Sequence, residues 1–139
     1  MATYNKFNAF VADVANKVHN LGSDTIKVML TNTSPTSSNA VKADITEISA
    51  GNGYTAGGTQ STQVSSTQTS GTYTLKLNNV TYTASGGSIG PYRYAVLYNS
   101  TPASGNLIGY WDYGTSITLT AGNQFTVSFD ATNGVIQLT

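Results

Sequence analysis

Apolar residues in the first part of the chain fall on a helical period. Phe7, Phe10, Val11, Val14, Val18 and Leu21 form one stripe on a repeat of about 3.6 residues. Thr3 or Asn5 stands where a helix needs a cap, and Gly22 stands where one ends in the left-handed conformation. Asp13, Asn16, Lys17 and Asn20 take the polar side. The pattern predicts an amphipathic helix within residues 1–22, laid on a sheet.

From residue 25 the period changes to two. Ile26, Val28 and Leu30 alternate with Lys27, Met29 and Thr31, the mark of a half-buried strand. Residues 33–39 read as a loop, and 41–48 hold room for one helical turn with Asp44 early in it. Residues 59–69 are almost all hydroxyl and amide, with Val64 the only large apolar side chain, and read as an edge strand or loop. In 72–84 the apolar parity switches between Leu77 and Val80, which places a bulge or tight turn at Asn78-Asn79. Residues 92–99 are apolar on both faces, as a central strand would be, with Tyr92, Tyr94 and Tyr98 on one face. A strand over 107–113 ends at a turn opened by Gly114, and strands near Ile117, Phe125 and Ile136 follow, with Gly/Asn turns between the last of them. The expectation is a mainly β chain: an antiparallel β-sandwich or barrel-like sheet of seven or eight strands in a 25–139 body, with the one N-terminal helix packed on it.

A chain of 139 residues suits a single domain spanning 1–139. A folded monomer of this mass exposes roughly 6,900 Å², about a third of what its unfolded chain exposes. Without cysteine there is no disulfide framework and no thiolate metal site. Six basic and six acidic residues cancel, which argues against a phosphate-binding surface and hence against nucleic acid. No apolar run is long enough for a membrane span, and no signal peptide opens the chain, so synthesis in a cytoplasm is expected. Charged residues are only 9% of the chain, against about 25% in ordinary domains. A neutral, hydroxyl-rich, tyrosine-rich surface is poorly suited to keeping neighbouring molecules apart and better suited to being covered. A soluble secreted-type β domain is the alternative.

Candidate chemistry is sparse. The one histidine, His19, reads as a solvated residue near a helix C-terminus. Asp44 and Glu47 are three apart, which a helix N-terminus explains as well as a shared site does. Asp112 lies among aromatics, and an outward-facing position at a strand end accounts for it. The pairs Gly57-Gly58 and Gly86-Gly87 lack the spacing of a phosphate cradle. No catalytic residue, cofactor or metal is expected, an oxygen-ligated ion being the one route left open. The nine tyrosines and one tryptophan remain. They fit ordinary sheet core, a protein interface or sugar contact, since aromatics with a polar edge serve all three. Tyr110, Trp111 and Tyr113, with Tyr54 in an exposed loop, are the candidate protein-interface residues.

Several strings point further. Residues 4–7 (YNKF), 19–22 (HNLG), 27–32 (KVMLTN), 43–48 (ADITEI), 53–58 (GYTAGG), 94–99 (YAVLYN) and 107–114 (LIGYWDYG) together resemble small structural proteins of tailed bacteriophages. The resemblance implies a virion component located at the capsid surface, with a capsid cement (decoration) protein as the first expectation. Its partner would be the major capsid protein or other virion proteins, and it would form a homo-oligomer. Tail or fibre components and, from another class, a carbohydrate-binding β module are the alternatives. The resemblance carries no catalytic or ligand residue.

Overall fold

The computed structural model describes residues 2–139. The strands are β1 (Tyr4–Lys6), β2 (Ile26–Thr31), β3 (Thr59–Gln60), β4 (Gln63–Thr69), β5 (Thr72–Leu77), β6 (Val80–Thr83), β7 (Ile89–Asn99), β8 (Leu107–Leu119), β9 (Gln124–Val127) and β10 (Ile136–Leu138). A single short helix, α1 (Ala9–Ala15), lies between β1 and β2, and a 3-10 turn occupies Lys42–Asp44. All pairings are antiparallel: a five-stranded sheet β1-β8-β7-β2-β3, a three-stranded sheet β10-β5-β4 and a two-stranded ribbon β6-β9. The chain is mainly β and sandwich-like, as its periodicity predicts.

The main core lies between the large sheet and the two small ones. Val28, Leu30, Tyr92, Leu97 and Ile108 from the first meet Leu75, Leu77, Val80, Tyr82 and Ile136 from the others. The opposite face of the large sheet is also covered. Phe7, Met29, Val96, Tyr98 and Leu107 form a second cluster there, with Ile45 from the segment after the 3-10 turn and Tyr110 packed against it. Double coverage explains why β7 is apolar on both faces, as read. It also corrects β2, whose Met29 and Thr31 are buried along with the expected Ile26, Val28 and Leu30. The accessible surface is 7060 Å², close to the roughly 6,900 Å² of a folded monomer of this mass, so the chain completes its own core.

The helix is shorter than its stripe. It starts at Ala9 rather than after Thr3 or Asn5, because Tyr4–Lys6 pair with Gly109–Trp111 as β1. It ends after Ala15, where Lys17, not Gly22, takes the left-handed conformation with φ 66°. The amides of Val18 and His19 then turn back to the Asp13 carbonyl, so Leu21 reaches the core by a turn and Val11 stays exposed.

Three further expectations are refined. Asn78-Asn79 is a corner at which the chain leaves the three-stranded sheet for the ribbon, held by Asn78 N–H on the Thr62 carbonyl and Phe129 N–H on the Asn79 amide oxygen. Gly114 does not open a turn between two strands. Leu107–Leu119 is one strand, and its register against β7 passes from Tyr94↔Asp112 to Tyr92↔Ile117, so the surplus residues of β8 bulge around Gly114 (φ 99°). The irregularity also divides the tyrosines expected on one face. Tyr92 enters the main core, whereas Tyr94 meets Tyr110 edge-on and Tyr98 joins the second cluster.

Candidate functional site

The four expected interface residues separate into buried and open positions. Tyr54 is not in an exposed loop: it is 2% exposed and its ring lies against Tyr82. Its hydroxyl donates to Glu47 Oε2 at 2.8 Å and accepts from Leu30 N–H at 3.0 Å. Glu47 also accepts Gly57 N–H, and Ile48 N–H donates to the Leu30 carbonyl. β3 pairs only with Lys27 and Val28, so Tyr54 and the 47–48 segment complete the rest of that edge of β2. The loop is drawn in because Leu30 N–H would otherwise be buried without a partner. Gly58 is required there: at φ 77° an added Cβ would stand 1.8 Å from the Val28 carbonyl oxygen.

Tyr110, Trp111 and Tyr113 do not form one patch, because neighbours on a strand point to opposite faces. Tyr110 is half-buried against Phe7, with ring centroids 5.2 Å apart, on the second cluster. Trp111 and Tyr113 look the other way, into a cleft of about 430 Å³ between β7–β8 and the β9–β10 segment. Trp111 lies 5.5 Å from Phe129, and Tyr113, 54% exposed at the mouth, lies 5.6 Å from Phe125. Tyr92 stands edge-on to Phe125 at 5.0 Å. Its hydroxyl is buried and meets no hydrogen-bond partner. A buried hydroxyl left unpaired costs about 1–3 kcal/mol. Burial, with Tyr113 close by, pushes that phenol up to about 12. Residues 125 and 129 were legible only as sheet core. Nothing in their spacing shows that they converge on Trp111 and Tyr113 from a different sheet.

Ionic groups at the cleft are engaged. Arg93 grips Asp112 through both carboxylate oxygens, at 2.7 and 3.0 Å, and lies over the Tyr94 ring. That guanidinium, together with Gly114 N–H, holds the Asp112 carboxyl below its usual range. Asp112 is thus half exposed and paired rather than simply outward-facing. Asp130 accepts the amides of Thr132 and Asn133 and the Asn133 side chain, which lower it likewise.

The other titratable groups serve the scaffold. Asp44 accepts the amides of Ala40 and Val41 and so caps the 3-10 turn. His19 is not solvated but 7% exposed, with Nδ1 3.0 Å from the Asn99 amide nitrogen. An amide donor at Nδ1 places any ring proton on Nε2, which has no partner, its nearest acid oxygen being Asp13 at 3.9 Å. Burial lowers its pKa, with Asp13 and Asp24 opposing.

A second open feature is a backbone edge. Among the described residues β4 pairs with β5 on one side only, and its seven residues, QVSSTQT, carry no charge and no proline. Val64 is 58% exposed at its start, beside an irregularity in register. The other edge strands β1, β3 and β10, and both strands of the ribbon, are four residues or shorter. The sequence reading of 59–69 as an edge holds for both strands it contains. No family of known proteins, no curated protein and no solved structure matches this chain.

Proposed function

We propose that the chain is a structural protein of a bacteriophage particle, a capsid cement protein that stabilises the assembled head shell without catalysing a reaction. The observation that carries this reading is the long unpaired edge of β4. Soluble monomers blunt such edges with lysine, proline or short strands, and β4 has none of these along its exposed length. An uncharged edge meets a second copy of itself without like-charge repulsion, so homo-oligomer formation through β4 follows. The near-zero net charge supports attachment through apolar and hydrogen-bonded contacts rather than by electrostatic steering. The sequence resemblance supplies the virion context and the major capsid protein as partner. A cement protein binds the completed lattice better than free subunits, and that preference is what stabilises the shell.

Imaging of particles from a phage encoding this chain, with and without its gene, tests the proposal. The expected result is density on the head surface, with particles lacking it still assembled but failing sooner under heat or osmotic shock. Retention on the shell should change little between low and high salt. Density confined to the tail would move the assignment to a tail or fibre component, and release in moderate salt would contradict the mode of attachment.

A further inference from the structure

We propose that the cleft between β7–β8 and β9–β10 is a binding site for an uncharged pyranose sugar, a role independent of the virion reading. The cleft opens to solvent and its volume, about 430 Å³, lies within the range of small-ligand sites. Its aromatic pairs are tilted or edge-on: Trp111 with Phe129 at 54°, Tyr113 with Phe125 at 74° and Tyr92 with Phe125 at 73°. Of these rings Tyr113 is exposed, and it offers a ligand an aromatic surface at the mouth of the cleft. The second observation is the Tyr92 hydroxyl, 1% exposed as a residue and without a partner in a wall of the same cleft. A hydroxyl in that position asks for a donor or acceptor that the protein does not supply.

The occupant's chemistry follows from these groups. It must present a flat C–H face to the rings and a hydroxyl to Tyr92. It should carry no net charge, because Arg93 is held by Asp112 and Asp130 by its own loop. A pyranose meets all three requirements. On this proposal Tyr113, exposed and lining the cleft together with Tyr92, moves to let a sugar hydroxyl reach the buried phenol.

Trp111 is the only tryptophan, so its fluorescence reports from the site itself. The full-length protein is titrated with methyl α-D-glucopyranoside, methyl β-D-galactopyranoside and N-acetylglucosamine, and applied to an immobilised glycan array. The expected result is a saturable Trp111 change with at least one sugar, weakened about tenfold by Tyr113→Ala at an unchanged melting temperature. Tyr92→Phe should weaken binding without lowering the melting temperature, a combination that a packing role alone would not produce. Three outcomes overturn the proposal: no Trp111 response and no array signal, a response to a proline-rich peptide but to no sugar, or sugar binding that both substitutions leave untouched.

Discussion

Tyr54 and Tyr92 are both buried, at 2% and 1% exposed, and each packs a ring against another aromatic in the main core. Their hydroxyls differ completely. That of Tyr54 gives a proton to Glu47 and takes one from Leu30, closing the edge of β2. That of Tyr92 has no partner and sits in the wall of an open cleft. The two sites show that burial alone does not separate scaffold from surface with a further use. Polar satisfaction does. At Tyr54 the hydroxyl is answered twice by the chain itself, and at Tyr92 the hydroxyl has no partner in the chain.

The largest expected contrast comes from truncation. Tyr54→Ala should cost about 3–5 kcal/mol, as for other buried aromatics, while Tyr113→Ala at the exposed mouth should stay within about 0.5 kcal/mol. Urea unfolding measures both, and equal losses would erase the distinction between the regions. A finer cut removes only the oxygen. Tyr54→Phe leaves the Leu30 amide and a Glu47 oxygen without that partner and should destabilise by about 2 kcal/mol, whereas Tyr92→Phe should be neutral or stabilise by about 1 kcal/mol. A loss of similar size in both variants would show that the Tyr92 hydroxyl finds a partner within the fold.

His19 Nε2 is the other buried side-chain atom without a partner among the described residues, and it makes stability depend on pH. Burial holds its folded-state pKa below the unfolded value of about 6.5, with Asp13 and Asp24 partly offsetting this. Below that pH the unfolded chain takes up a proton that the folded chain resists. Stability contributed by this group is therefore complete above about pH 6.5 and falls as pH drops toward the folded-state value. The urea midpoint should decline over that window, and His19→Gln should remove that part of the slope. A flat profile in the native chain would contradict the buried, amide-bonded imidazole. The smallest change concerns the turn that delivers His19 to its site. Lys17→Gly, at φ 66°, should stabilise by about 1 kcal/mol in the same assay, and a loss would mean that the helix does not end there.

Much of this architecture was legible in local pattern. The two-faced apolar run of β7, the strand at Phe125, the Gly/Asn turns and the hydroxyl-rich edge all follow from side-chain period and turn chemistry, which act over a few residues. What failed depended on distant partners. The stripe from Phe7 to Leu21 reads as one helix, but Lys17 ends it and His19 is turned toward Asn99, far along the chain. Tyr54, flanked by glycine and threonine, has the local signature of a surface loop and is drawn inward by the unpaired amide of Leu30 in β2. The run Tyr110–Tyr113 reads as one candidate interface stretch from its aromatics alone. Strand alternation then gives Tyr110 to one face and Trp111 and Tyr113 to the other, where Phe125 and Phe129 arrive from another sheet.

The same contrast extends to the backbone. Beyond β3, the edge of β2 is closed by Tyr54 and the 47–48 segment, while β4 presents a seven-residue uncharged edge with no second strand beside it among the described residues. The proposed function needs β4 to be an edge that another copy covers. Sedimentation of the full-length protein beside Thr67→Lys, which places one charge on that exposed strand, tests this most directly. The prediction is concentration-dependent association of the native chain at micromolar concentration, lost in Thr67→Lys with the melting temperature of the monomer unchanged. A native chain that sediments as a well-behaved monomer at high micromolar concentration, or an association that Thr67→Lys leaves intact, would contradict it.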